Sequence, residues 1–399
     1  MTLHRPARAA AITAATLAIA GCISAGTVAS LIVDAPNGGH PKTPSSRLGR
    51  AAGAFYASHF KVTVGPPAAT LAVAVVEPRD YRFETLEGPG RKPRTMVDRW
   101  QVSDVAPAVA RHLHAHAHQP FLKRLQRGIA LLPACRPAGT VLLIPGYGDP
   151  KWHYLGYALD FADHGYRVVM VDLRGQGEST GRYVTYGLVE HHDMEQVITA
   201  LASRGVLTGK LALAGFSEGA TVALDTAADD PRVSTVIAVA PFVSLRTAIN
   251  GFGHDFAPGL AALVGPKKLD KALRIADRKV GKKLAAADPS SRVNRIRAPV
   301  LYVAGGGDDI APAADVRRLA ARTPDSRFVE LLGYPHMGAV LATTRVGRQA
   351  LAELNEGLGP AADTACLQAR PKAPDNARYR LTFTAKFRLA APDAGSAPD

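Results

Sequence analysis

Two serines in this 399-residue chain sit in the pattern Gly-x-Ser-x-Gly: Gly177-Glu178-Ser179-Thr180-Gly181 and Gly215-Phe216-Ser217-Glu218-Gly219. A serine so flanked acts as a nucleophile when it lies on a tight strand-to-helix turn. Side chains would clash there, and the helix N-terminus favours developing negative charge. Ser217 has that setting, with KLALA (210–214) before it and the helix-like ATVALDTAA after it. Ser179 follows DLRGQ and leads into TGRYVTYG, so it reads as a loop residue. A serine also needs a positioned base and an acid to orient that base. Gly305-Gly306-Gly307-Asp308-Asp309 follows the apolar PVLYVA, and Gly333-Tyr334-Pro335-His336-Met337-Gly338 follows RFVELL. Ser217, an aspartate at 308 or 309, and His336 thus supply nucleophile, acid and base in chain order, a set suited to acyl transfer. The competing roles are a helix N-cap for either aspartate and a packed loop position for His336.

These residues need a parallel sheet to bring them together, because ligand chemistry gathers at the carboxyl ends of such strands. From Thr140 onward the sequence supplies one. TVLLI (140–144), YRVVMV (166–171), KLALA, STVIAVA (234–240), PVLYVA (299–304) and RFVELL (327–332) alternate with helix-length segments. Buried runs separated by helices predict a doubly wound, mostly parallel α/β architecture. The stretch from Pro241 to Ala298 is too long for a connection and predicts an inserted helical cap. The expected organisation is an export or anchor segment at 1–33, a linker at 34–70, and N-terminal strands with a His-rich helical insertion at 71–139. The core follows at 140–241 and 299–358, with the cap at 242–298 between its halves and a tail at 359–399. Leu71–Val76, Gly128–Leu132 and the alternating YRLTFTAKFRL (379–389) read as strands, about Ser103–Arg127 as a helix, and GPGRKPR (88–94) as a loop.

From about Thr140 to Leu358 the chain resembles the α/β-hydrolase superfamily, closest to its serine-aminopeptidase-like and Bem46-like esterase branch. The matching pieces are PGYGD (145–149), DLRGQGES (172–179), GFSEG (215–219), GGGDDIAP (305–312) and GYPHMG (333–338). The resemblance implies an α/β-hydrolase fold with Ser217 as nucleophile and His336 as proton relay. The G-x-x-D-x-x-x-P pattern from Gly305 to Pro312 puts the acid at Asp308, with Asp309 as runner-up. The backbone amides of Glu218 and Tyr147 are then the oxyanion donors. Related enzymes often carry His-Gly where this chain has Pro145-Gly146, a change that a backbone donor tolerates. The expected activity is hydrolysis of an ester, with an amide as the lesser candidate, on a small-molecule acyl substrate and without a dissociable cofactor or metal. An acyltransferase shares the same acyl-enzyme, and a non-catalytic binding protein is the rival from another class.

Charge and cysteines bear on partners. Lys and Arg number 48 against 34 Asp and Glu, for a net charge of +14. Residues 266–284, PKKLDKALRIADRKVGKKL, hold +6 of it, with Leu269, Leu273, Ala276, Val280 and Leu284 at helical spacing. This is a basic amphipathic helix whose charged face suits solvent or an anionic membrane surface. No nucleic-acid-binding module accompanies it. His112, His114, His116 and His118 alternate in a segment that reads as a solvated His-rich helix, with i,i+4 metal binding as the alternative. His191, His192, Asp193 and Glu195 read as structural, at the start of a helix.

Arg5 and Arg8 precede an uncharged run from Ala9 to Val33, so export to the periplasm or the membrane is expected. Three endings compete: A-x-A cleavage at Ala18-Ile19-Ala20, lipidation of Cys22 in a lipobox-like Ile19-Ala20-Gly21-Cys22, and an uncleaved anchor. Three cysteines are too few for a Cys-based zinc framework. Cys135 and Cys366 then remain as either a disulfide or two thiols. The oligomeric state has no signal.

Overall fold

The computed structural model describes residues 23–45, 47–79, 83–89, 95–102, 134–359, 366 and 381–388. The cleavage and lipobox positions through Cys22, the helix and strand expected between 103 and 132, and the histidines at 112–118 lie outside the described residues.

Eight strands form the main sheet in the order β1-β2-β6-β5-β7-β8-β9-β10. They are β1 (Ser58–Val64), β2 (Ala69–Val76), β5 (Gly139–Ile144), β6 (Arg167–Val171), β7 (Lys210–Phe216), β8 (Val233–Val239), β9 (Val300–Gly305) and β10 (Ser326–Leu331). The strands from β6 to β10 are mutually parallel, while β1 and β2 add an antiparallel edge. Every residue of β5 is buried, as a strand covered on both faces requires. The covering helices include α3 (Leu155–Asp163) packed with α11 (Thr343–Leu358), and α4 (Glu190–Ser203) packed with α5 (Glu218–Asp229).

The linker expectation is corrected over part of its length. Residues 58–64 pair with β2 as β1, and Arg47–Ala52 form the short helix α2. Alternation in SHFKVTV leaves Val62 and Val64 buried, which ties this segment to the core. The uncharged run is also divided, because its last residues, Ala25–Val33, form helix α1. Ser24 caps α1 through the amide of Thr27, and Val28, Ala29, Ile32 and Val33 are buried at helical spacing. No helix among the described residues is long and apolar enough to cross a membrane.

A second sheet has the order β11-β4-β3, from β3 (Phe83–Pro89), β4 (Thr95–Val102) and β11 (Leu381–Arg388). The alternation read in 379–389 is thus a strand, and it pairs antiparallel with β4 rather than standing in a separate tail. Cys135 and Cys366 form a disulfide, with Cα atoms 5.8 Å apart.

The insert folds as α6 (Leu245–Phe256), α7 (Pro258–Leu263) and α8 (Pro266–Val280). Leu269, Ala272 and Ala276 of α8 are buried, and Gly281 ends the helix in the left-handed conformation at φ 68°. The core resumes with β9, α9 (Ala313–Arg322), β10 and α10 (His336–Leu341).

Candidate active site

The chain runs from β5 to β6 on one side and then returns to β7 on the other side of β5. A crevice opens at the carboxyl ends of strands where the winding reverses in this way. Ser217 directly follows β7 and adopts φ 53°, ψ −117°, a conformation rare for a residue with a side chain. Two glycines permit it. A Cβ on Gly215 would lie 2.1 Å from the carbonyl oxygen of Gly219, and one on Gly219 would lie 2.1 Å from that of Ile144. Only chains without side chains at both positions can make this turn.

The Ser217 Oγ lies 2.8 Å from His336 Nε2, and His336 Nδ1 lies 2.7 Å from Asp308 Oδ2. Three strand ends, those of β7, β9 and β10, therefore converge on one hydrogen-bonded line. His336 and Asp308 are buried, at 4% and 5% exposure. The other oxygen of Asp308 accepts from the amides of Ile310 and Ala311, at 2.9 and 2.7 Å. The helix N-cap role considered for this aspartate is not taken, since α9 starts after Pro312 with no side-chain cap; Asp308 instead closes the preceding turn with one oxygen and meets the histidine with the other. Asp309 is exposed and points no oxygen at His336. Helix α10, which begins at His336, is tied to α3 by Tyr157, which donates to the carbonyl of Val340 at 3.0 Å.

Ser179 is fully buried in a different environment. Its hydroxyl donates to the carbonyl of Asp172 and accepts from the amide of Ala72, at 2.7 and 2.9 Å. The turn after β5 faces Ser217: a Cβ on Gly146 would lie 3.4 Å from that of Ser217. Tyr147 and Glu218 both line the cavity at Ser217. The two loops are joined by Gln176, whose Oε1 accepts from the amide of Gly148 and whose Nε2 donates to Glu218 Oε2 at 3.0 Å. Burial, aided by the Glu190 carboxyl, pushes the Glu218 carboxyl well above its usual range. Gln176 lies in the quoted DLRGQGES, but its bridging role depends on a contact 42 residues away in sequence.

A cavity of about 410 Å³ leads from Ser217 and His336 under the cap. Leu245, Ala248, Ile249, Phe252 and Phe256 of α6 line it, with Ala261, Val264 and Leu269 beyond. Val28, Leu31 and Ile32 of α1 complete the wall. The sequence reading missed α1 as part of the site. The signal available was the i,i+4 pair Val28 and Ile32, hidden in a run of uniformly uncharged residues. Hydrogen bonds hold α1 in place, from the Tyr186 hydroxyl to the Ile32 carbonyl and from the Tyr147 hydroxyl to that of Leu31 at 3.3 Å.

Of the metal-like cluster on α4, Asp193 is drawn away by two bonds from Arg174, each 2.6 Å, whereas ligand atoms of His191, His192 and Glu195 lie within 4.8 Å of one another.

Residues 135–289 match the sequence model of the serine aminopeptidase, S33, family. YqkD of Bacillus subtilis, described as uncharacterized, is 26% identical over 198 residues, covering 48% of this chain and 62% of that protein. Rv2307c of Mycobacterium tuberculosis, also described as uncharacterized, is 31% identical over 183 residues, covering 46% of this chain and 57% of that protein. The chain thus spans about 60% of the length of these relatives. Among solved structures, an esterase of Pyrococcus furiosus, Pf2001, superposes with a TM-score of 0.46 at 18% identity, over 70% of this chain and 92% of that one. With the family match over the part of the core that carries Ser217, and the mostly parallel eight-stranded sheet carrying serine, aspartate and histidine after β7, β9 and β10, the chain has the α/β-hydrolase fold.

Proposed function

We propose that this hydrolase cleaves an ester of an apolar acyl chain through a covalent intermediate on Ser217. The observation that carries the reading is the unbroken line Ser217–His336–Asp308 at the inner end of an apolar cavity. His336 Nε2 takes the Ser217 proton as Oγ attacks the acyl carbon, and Asp308 holds the imidazole in the tautomer that can accept it. The same imidazole returns the proton to the leaving alcohol and then activates water for deacylation. The amides of Tyr147 and Glu218 take no acceptor among the described residues, which leaves both free to bind the oxyanion. An apolar wall favours an acyl chain over a charged peptide, because each buried methylene adds about 0.8 kcal/mol of binding. The bond between Cys135 and Cys366 supports export to an oxidising compartment.

A fluorophosphonate probe tests the assignment. Wild type and Ser179→Ala are expected to label, and Ser217→Ala is expected not to label. Labelling that survives Ser217→Ala would overturn the reading. A series of p-nitrophenyl esters of increasing length then reports the acyl preference.

A further inference from the structure

Leu31, Phe252 and Phe256 are, with Leu332, the large apolar side chains left exposed among the described residues, at 58%, 45% and 51% for the first three. All three line the cavity that ends at Ser217, so the exposed apolar surface is the cavity's mouth. The rings of Phe252 and Phe256 lie 4.7 Å apart, and Tyr147 meets Phe252 edge-on at 6.2 Å. A contiguous apolar rim of this kind marks an interaction surface rather than scattered exposure.

One side of the rim adjoins basic side chains. Helix α8 packs along α1 and contributes Leu269 to the same cavity. Lys279 bonds Ser30 and Asp34 at 2.8 and 2.7 Å, immediately beside Leu31. Lys267, Lys271, Arg274, Arg278 and Lys282 are exposed and have no carboxylate partner among the described residues. The two acids of this segment are engaged: Asp270 with Arg246, and Asp277 with Lys283 and the amide of Leu284. Asp255 and Asp309, beside His254, are the carboxylates near the α6 side of the rim. In sequence, α1 is the end of the uncharged run that begins at Ala9.

We infer that α1, α6 and α8 dock this protein on the surface of an anionic lipid bilayer, with the cavity mouth set against the lipid. Apolar tips beside the basic helix α8 fit an anionic interface, where the tips enter the acyl region and the cations meet headgroups. The rim opens into a cavity able to receive a chain, which favours lipid over a protein partner that would seal it. The docking stands without the proposed chemistry. Its use, passage of an acyl chain from bilayer to Ser217 without crossing water, rests on that chemistry.

The test uses the full chain carrying Phe252→Trp and vesicles with dibrominated acyl chains, which quench an indole only at short range. The unsubstituted protein supplies the baseline for Trp100 and Trp152. On phosphatidylglycerol vesicles most of the added emission is expected to be lost. On phosphatidylcholine vesicles, or with Lys267→Glu, Lys271→Glu and Lys282→Glu combined, most of it is expected to remain. Circular dichroism checks that the charge-reversed chain is folded. An introduced indole that stays unquenched on phosphatidylglycerol overturns the inference, even when the protein sediments with the vesicles through its N-terminal run. Quenching that ignores the charge reversal also overturns it. Fluorophosphonate labelling in solution separates the two readings. Label without quenching removes only the docking, and quenching without label removes only the proposed chemistry.

Discussion

Ser179 and Ser217 share a five-residue pattern and differ in everything their hydroxyls touch. The first is saturated by two backbone groups between β2 and the loop after β6, and the second faces an imidazole across a cavity. Ser179→Ala leaves the buried amide of Ala72 without its acceptor, so it is expected to cost about 1–3 kcal/mol in urea denaturation while fluorophosphonate labelling persists. Asp308 and Asp309 separate in the same way. Asp308→Asn removes the orienting carboxylate and is expected to lower kcat/KM on a soluble ester by about 10⁴-fold. Asp309→Asn, at an exposed carboxylate, is expected to stay within about threefold. A comparable loss in both variants would place the orienting role elsewhere.

Helix α1 is the element that most changes the picture of the site. It comes more than 100 residues before the first residue of β5, yet its buried face walls the cavity at Ser217. Ile32→Trp adds bulk to that wall. The variant is expected to lose about tenfold or more in kcat/KM on long-chain p-nitrophenyl esters and to retain most of its activity on the acetate. Equal losses on both would show that α1 supports the fold without shaping the pocket. The cap helix α6 is seated as closely on the other side, since a Cβ on Gly251 would lie 2.2 Å from the carbonyl oxygen of Asp309. The cap therefore rests directly on the loop that carries Asp308.

At the scale of the whole molecule, buried carboxylates tie stability to pH. Burial pushes Asp225 up to about 7, against the opposing Arg292, and Asp193 up to about 6, against Arg174. A raised carboxyl pKa means that the folded chain holds a proton the unfolded chain has released. Stability from these groups is therefore greatest near pH 4, falls as pH rises through 6 and 7, and stays low above that window. Arg292 Nε is 3.0 Å from Asp225 Oδ1 without forming a hydrogen bond to it, so the guanidinium compensates only in part. Asp225→Asn is expected to flatten the fall in Tm between pH 5 and pH 8, measured by thermal denaturation. An unchanged slope would remove Asp225 as its source. The Cys135–Cys366 bridge spans 231 residues and ties the segment just before β5 to the chain beyond α11.

The core strands and the three residues of the hydrogen-bonded line were legible in sequence, because both rest on local pattern. Apolar runs of strand length mark positions buried on two faces, and strand ends mark where polar residues can meet. The choice between Asp308 and Asp309 depended on a resemblance, since adjacent aspartates carry the same local signal. Contact with His336 decided it. The segment read as a linker became β1 because pairing with β2 outweighs the turn-rich composition around it. The apolar run at the N-terminus was legible as apolar, but not as divided. Hydropathy reports how much surface wants to leave water and leaves open whether lipid or a neighbouring helix receives it. For Val28 and Ile32 the tertiary structure chose the cavity wall, while Leu31 on the same helix remains exposed. Sequence by itself determined the sheet and the tight turn at Ser217. Only the packing of α1 and the cap over that sheet decided the shape and the mouth of the pocket, because α1 meets α8 across more than 200 residues of chain.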